Sequence, residues 1–277
     1  MEWVDRLNAA IEYMEAHMCG DMDPAAIERI MACPYGVFQR SFMQIAGIPV
    51  SEYMRRRRLS CAAYDICNTK KRIIDIAQQY KYESADAFGA AFKQLHGIAP
   101  SAVRKMTKPL KFYTRLTFTL AIKGVYEMDY KVVERKPFKV IGRKRVTLEG
   151  GGTWGIAKTD GSIEQMQALA GTPDVVLLGV CFGFGEDGSN DYMVGMVYEG
   201  ADEEGLESYT YPAATWLEFT AEGAVSDNVL GNLWQRIYGE FLPQSEYKQS
   251  VLPTVEAYIA WDNDKDYCKM AVWIPVE

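Results

Sequence analysis

The sequence predicts a multidomain chain: an all-α N-terminal domain with two helix-turn-helix units, then an α+β C-terminal domain of two related modules. Three observations predict it. Over roughly the first hundred residues apolar side chains recur at helical spacing, whereas beyond residue 112 they fall in short β-like runs separated by glycine-rich or acidic turns. A helix-turn-helix stretch also repeats at an offset of 50 residues, matching Phe38 to Phe88, Phe42 to Phe92, Gly47 to Gly97, Ile48 to Ile98 and Ser51 to Ser101. Charge divides the same way. Residues 1–111 hold 16 Lys/Arg against 12 Asp/Glu, and residues 146–277 hold 5 against 22. A basic half joined to an acidic half suggests that one part meets a polyanion and the other does not.

The chain has 277 residues, about two domains at roughly 150 residues each. Its composition, 48% hydrophobic and 24% charged, excludes a disordered or fibrous class. No apolar run approaches the roughly 20 residues of a membrane helix, and the acidic start does not read as a signal peptide. The cysteines at 19, 33, 61, 67, 181 and 268 form no CxxC pair, and His17 and His96 are too few for a zinc site. The expectation is a cytoplasmic protein with reduced thiols and no metal or cofactor.

The helices follow in order. Trp3, Leu7, Ala10, Ile11, Met14 and Met18 mark the apolar face of a first helix that Gly20 stops. Asp23-Pro24 reads as a cap followed by proline at the first helical position, with Ile27 and Ile30 inward. Pro34 opens a third helix through Val37, Phe38, Phe42 and Ile45, and Gly47 closes it. Ser51 is expected to cap a long helix ending near Asn68, followed by a short helix over Ile73, Ile74 and Ala77. Ser84 caps the next, which runs through Phe88, Phe92 and Leu95 to Gly97.

The run from Ile27 to Arg104 resembles the DNA-binding domain of the AraC/XylS transcription regulators. The resemblance is carried by Phe38-Gln39-Arg40-Ser41-Phe42, Gly47-Ile48-Pro49, Tyr53 with Arg57-Arg58-Leu59, Tyr82-Glu83-Ser84, Phe92-Lys93 and Gly97-Ile98-Ala99-Pro100. It implies two reading helices on a rigid linker helix, entering successive major grooves about 34 Å apart. In the first unit the base-reading positions fall on Tyr35, Gly36, Gln39 and Arg40. Gln39 suits adenine, and Arg40 suits guanine or a phosphate. Arg55 to Arg58 point all round a helix, so only one or two, Arg57 among them, reach phosphate. The second unit presents Ser84, Ala85 and Asp86, with Ala90 where the family commonly has arginine and Lys81 where it has glycine. Most base reading is therefore expected from the first unit, with Lys93 and Arg104 docking the second on the backbone.

Beyond residue 112, strands are expected near 130–134, 140–147, 175–184, 192–199, 214–220, 255–261 and 269–275, and helices over 162–169 and 225–241. The order, roughly β-β-α-β-β twice, makes two related β-α-β-β-type modules rather than a parallel sheet. Domain bounds of 1–108 and 126–277 follow, with 109–125 as a linker; Lys105, Lys108, Lys111 and Arg115, in and beside it, lie near DNA. No phosphate loop, dinucleotide fingerprint or nucleophile elbow occurs. Gly150-Gly151-Gly152 lacks the lysine of a P-loop, and both histidines lie in the first half, so no catalytic residue is assigned. Cys181, in an apolar strand, reads as core.

Aromatic side chains distinguish this half. Trp154, Tyr192, Trp216, Trp234, Tyr258 and Trp273, with Glu218 on the same strand face as Trp216, are the candidate ligand-binding set, because rings beside a carboxylate suit an organic cation. Residues 126–277 resemble a GyrI-like effector-binding domain through Glu134-Arg135-Lys136-Pro137-Phe138, Tyr211-Pro212-Ala213, Leu242-Pro243-Gln244-Ser245-Glu246-Tyr247 and Trp273-Ile274-Pro275. That resemblance implies a groove between two modules that takes small aromatic or cationic molecules. It also places Ala271 where relatives often carry glutamate, which would leave the floor of the groove apolar there.

Together these features predict a sequence-specific, ligand-responsive transcription regulator and not an enzyme. Its partners would be double-stranded promoter DNA, a small-molecule effector and, if control acts through polymerase contact, RNA polymerase. No membrane partner is expected, and the chain would be a monomer or weak dimer. Two alternatives of other classes stand beside this: a small-molecule hydrolase fused to a DNA-binding domain, and a drug-sequestering protein with a degenerate one.

Overall fold

The structure, a computed structural model, describes residues 3–104, 110–119, 128–147, 152–185 and 189–277. Among the described residues, seven helices occupy the first part: α1 (Trp3–Ala16), α2 (Pro24–Met31), α3 (Tyr35–Ala46), α4 (Val50–Asn68), α5 (Ile73–Gln79), α6 (Ala85–His96) and α7 (Pro100–Val103). The chain divides into two compact units, residues 1–32 with 50–121 and residues 33–49 with 122–277. The helix α3, expected in the helical domain, thus groups with the C-terminal half.

Local signals set the helix ends. Asp23 caps α2 by accepting the Ala25 N–H at 2.9 Å, and Ser84 caps α6 by accepting that of Ala87 at 3.1 Å. Gly47 and Gly97 end α3 and α6 at φ 71° and 75°, a left-handed conformation that favours glycine. Ser51 is not the cap that its position suggests. It lies one residue inside α4, and its buried hydroxyl has no partner.

In the first unit Phe88 and Phe92 pack fully buried among Leu59, Ile66, Ile76 and Val103. Truncating such a ring typically costs about 3–5 kcal/mol. Residues 110–119 form an extended strap on this unit. Phe118 exchanges two hydrogen bonds with the Asn8 side chain, each of 2.9 Å, and the Tyr113 N–H donates to Ser60 Oγ at 3.0 Å. Lys111 and Arg115 are exposed on the strap, while Lys105 and Lys108 lie outside the described residues.

The second unit contains β1 (Tyr130–Arg135), β2 (Phe138–Thr147), α8 (Gly152–Ala157), α9 (Ser162–Ala170), β3 (Leu177–Phe184), β4 (Asn190–Val197), β5 (Glu207–Tyr211), β6 (Ala214–Gly223), α10 (Val229–Arg236), β7 (Thr254–Asp262) and β8 (Tyr267–Val276). Two elements were not legible: α8, hidden by its glycine-rich approach (Gly150 and Gly151 lie outside the described residues), and the short edge strand β5. The helix expected over 225–241 is interrupted because Asn228 adopts φ 51°. A 3-10 turn precedes it, α10 follows it, and a π-type turn over Ile237–Phe241 continues α10.

The eight strands of the described residues form one antiparallel sheet in the order β1-β6-β8-β7-β3-β4-β2-β5. Exchanging β1–β4 with β5–β8 reverses this order onto itself, so the two β-β-α-β-β modules are related by a pseudo-twofold axis at the β3–β7 pair. The sheet curls. Tyr211 on β5 packs on Trp216 of β6 at 5.2 Å between ring centroids, and Phe138 of β2 meets Trp216 at 5.9 Å. One face is thereby enclosed around Val140, Val180, Val255 and Ala271. On the other face α8 and α9 cover β2 and β4, and α10 covers β6 and β8, leaving a strip above β3 and β7. No helix among the described residues is long and apolar enough to cross a membrane.

Candidate functional site

The strip above β3 and β7 is the floor of a cavity of about 300 Å3. Strand alternation points Thr254, Glu256 and Tyr258 of β7 toward it, while Val255 and Ala257 enter the enclosed core. Glu256 is its centre. Its Oε1 accepts the Trp234 indole N–H at 2.7 Å, and its Oε2 accepts the Tyr192 hydroxyl at 2.6 Å and that of Tyr258 at 3.3 Å. Trp154 donates to the Tyr192 hydroxyl at 3.2 Å and packs edge-on to Tyr258, with 4.5 Å between centroids. The carboxylate therefore stands inside a cage of two indoles and two phenols contributed by both modules.

Gly179 makes that cage possible. It lies opposite Glu256 in register, and a Cβ there would stand 1.7 Å from the Tyr192 hydroxyl oxygen and 2.9 Å from Glu256 Oε2. Gly179→Ala is expected to push Tyr192 off Glu256 and lower stability by about 1–3 kcal/mol. Chemical denaturation reads this directly, and an unchanged midpoint would show that Tyr192 is not pinned there.

Burial dominates the electrostatics. It raises the pKa of Glu256 above the usual carboxylate range, although the Tyr192, Trp234 and Tyr258 hydrogen bonds pull the other way. Burial likewise raises the Tyr192 and Tyr258 phenols, with Glu256 adding to the effect, so both are donors near neutral pH. Cys181 lines the same cavity, and burial pushes its thiol up to about 12, which makes it a packing group rather than a nucleophile. Among the described residues no group of three or more His, Cys, Asp or Glu converges to hold a metal ion.

The structure brings together Trp154, Tyr192, Trp234 and Tyr258, and separates Trp216, Glu218 and Trp273 from them. Those three, with Ala271, lie on the enclosed side of the sheet. Trp216 is fully buried there, and Glu218 is paired with Arg135 at 2.6 Å. Arg135 stands over the Trp273 ring at 3.9 Å. Glu218 therefore does not supply the charge of the cavity, and Ala271 does not set its floor. Glu256, one of the carboxylates that the sequence intersperses among the aromatic residues (with Glu199, Glu218 and Glu240) but not the one chosen for the candidate set, does both. Its signal was a lone acid between the apolar Val255 and Ala257.

The positions expected to read DNA divide too. On α6 Ala85, Asp86 and Lys93 are exposed, as is Ser84, whose hydroxyl is used as the cap. Arg104 donates to the carbonyls of Ile66, at 3.1 Å, and Lys71. On α3 Gly36 is exposed and Tyr35 and Gln39 are half-buried, but Arg40 is only 5% exposed. Arg57 faces no phosphate: it is buried in a bidentate pair with Glu15, at 2.8 and 2.7 Å, because its position on α4 turns it inward. Arg55 and Arg56 both pair with Glu52, and Arg58 donates to the Met18 carbonyl.

A helix-turn-helix stretch preceding a curled antiparallel sheet with a caged carboxylate has the architecture of a helix-turn-helix domain joined to a small-molecule binding domain. Residues 128–277 match the GyrI-like small molecule binding domain and residues 29–106 a helix-turn-helix domain. The first match spans more than half of the chain, which belongs to the GyrI-like family and carries an AraC-type helix-turn-helix domain ahead of it. It is similar to the HTH-type transcriptional activator AarP of Providencia stuartii, 44% identical over 66 residues, 24% of this chain and 49% of that protein. It is also similar to the transcriptional regulator Rob of Salmonella typhimurium, 32% identical over 99 residues, 36% of this chain and 34% of that protein. The chain thus covers half or less of the length of these relatives. The solved structure of SAV2435 bound to tetraphenylphosphonium aligns with 54% of this chain and 94% of its own, at 20% identity and a TM-score of 0.46.

Proposed function

We propose that the chain is a sequence-specific transcription regulator, and not an enzyme, whose GyrI-like unit binds an aromatic cation in the Glu256 cavity. The observation that carries this reading is the caged carboxylate. Four aromatic side chains surround it, and each of its oxygens is engaged by fixed donors, which suits holding a charge rather than transferring a proton. Aromatic faces attract a delocalised cation, and a carboxylate partly withdrawn from water pairs with it strongly. The AraC-type domain supplies the DNA partner, and the exposed face of α6 supports its role as a reading surface, with Lys93 there and Lys111 and Arg115 on the strap available to phosphate. The named relatives being a transcriptional activator and a transcriptional regulator supports the same reading. A promoter-DNA partner implies a cytoplasmic location.

The test is recovery of fragmented genomic DNA from the source organism by the full-length chain at about physiological salt, with and without rhodamine 6G, a fluorescent aromatic monocation. A few promoters sharing a motif, recovered to a different extent when the dye is present, are expected. Diffuse, salt-sensitive recovery without a motif would leave only charge-driven contact. Chemical turnover of the dye, with no effect on DNA recovery, would make the cavity a hydrolase site.

A further inference from the structure

One wall of the cavity is a helix of the helix-turn-helix pattern. Helix α3, which the AraC-type pattern makes the reading helix of the first helix-turn-helix, packs on β3, on α10 and on the π-type turn after it. It places Arg40, Met43 and Gln44 in the wall of the Glu256 cavity. A base-reading arginine must be free to enter a DNA groove, yet Arg40 is buried. It is also poorly satisfied. Its Nη1 and Nη2 reach the carbonyls of Leu252 and Ser250 only at 3.3 and 3.4 Å, and its Nε is buried without a partner. Arginine carries five N–H donors, and a buried charged group with so few and such long bonds is weakly held.

Size points the same way. At about 300 Å3 the cavity is at the low end for a drug-sized molecule, and α3 supplies part of its wall. An aromatic cation entering beside Glu256 would bring a second positive charge into the space lined by the buried Arg40 guanidinium, where like charges repel far more than in water. We propose that α3 is a built-in competitor of the effector: docked over the cavity it withholds Arg40 from DNA, and an aromatic cation displaces it and frees it to read bases. This rests on the reading of the cavity as a cation site and adds its regulation. The coupling is reciprocal, so DNA that captures α3 raises affinity for the cation by the same factor as the cation raises affinity for DNA.

The experiment uses the full-length chain without DNA. Rhodamine 6G binding is followed by fluorescence anisotropy, and amide hydrogen exchange is measured across α3 and α6 with and without saturating dye. Amides of α3 are expected to exchange at least about tenfold faster with dye bound, while those of α6 stay unchanged. Arg40→Ala, by removing the competing charge and loosening the dock, is expected to raise dye affinity about three- to tenfold. Dye that binds the wild-type chain without altering α3 exchange overturns the displacement and leaves the cation site standing. The displacement is equally overturned if α6 loosens as much as α3, or if Arg40→Ala weakens binding and so makes Arg40 a ligand contact. Failure of both the wild-type chain and Arg40→Ala to bind dye removes the cation site, and the displacement with it.

Discussion

Glu256→Gln is expected to weaken binding of rhodamine 6G by roughly 30- to 700-fold, about 2–4 kcal/mol, because it removes the charge inside the aromatic cage but keeps its size. The four rings remain, so residual affinity measures what they contribute alone. Two effects on stability oppose each other: an ionised carboxylate no longer has to be withdrawn from water, but the amide NH2 cannot accept from the donors that held one of the oxygens, so the net change should stay within about 1–3 kcal/mol. The dependence on pH follows from the direction of the shift. Burial raises the pKa of Glu256 in the folded chain. Its contribution to stability is therefore fully present below the ordinary carboxylate pKa and is lost as pH rises through the raised value. Dye binding has the opposite slope, because the cation needs the ionised form. Affinity should climb as pH rises through the raised pKa of Glu256 and then level off, whereas in Glu256→Gln it should stay flat. Anisotropy titrations from acid to neutral pH measure both curves. Parallel curves would remove Glu256 as the group that senses the cation.

Signals that act over a few residues were legible in the sequence. The paired phenylalanines four apart, the closing Gly47 and Gly97 and the caps Asp23 and Ser84 all act within one or two helical turns, and the structure forms them as read. The pseudo-repeat was legible for the same reason, since each module is a local succession of strands and helix. What escaped depends on partners far along the chain. Alternation correctly put Glu218 on one strand face with Trp216, but which face is closed is decided by the curl that brings β5 near β6. That curl leaves Glu218 to Arg135, 83 residues away in sequence, and gives the open face to Glu256. Arg40 belongs to the same class. A motif assigns it to DNA, and only the packing of α3 on β3 reveals the contacts to Ser250 and Leu252. Two short elements were missed on local grounds. Glu207–Tyr211 follows an acidic loop, and Gly152–Ala157 opens on glycine, which has a low helix propensity, and is too short to show a helical period.

Arg57→Ala should cost about 3–5 kcal/mol, as much as truncating a core phenylalanine of the first unit, because it strands a largely buried acid. The Arg57 and Glu15 side chains are 10% and 15% exposed, so solvent screens the pair little. Glu15 also accepts the Tyr53 hydroxyl at 2.5 Å, and Arg57 reaches the Tyr113 carbonyl at 2.5 Å, tying the strap to α4. Burial pushes the pKa of Glu15 upward, but the Arg57 and Tyr53 hydrogen bonds and the Arg57 charge outweigh it and hold the carboxyl below its usual range. A depressed pKa contributes stability that is present above the ordinary carboxylate value and is lost as pH falls through the depressed one. Without Arg57 the burial effect dominates, so this acid-side loss should disappear and the variant should be relatively least stable near neutral pH. Arg57→Lys keeps the charge but not the fork that grips both Glu15 oxygens, and is expected to fall between the two. Urea denaturation followed by the helical far-ultraviolet signal, at neutral and mildly acid pH, distinguishes this role from phosphate contact. A phosphate ligand would leave the neutral midpoint unchanged and weaken DNA binding with a shallower salt dependence, and that result would sink the structural assignment of Arg57.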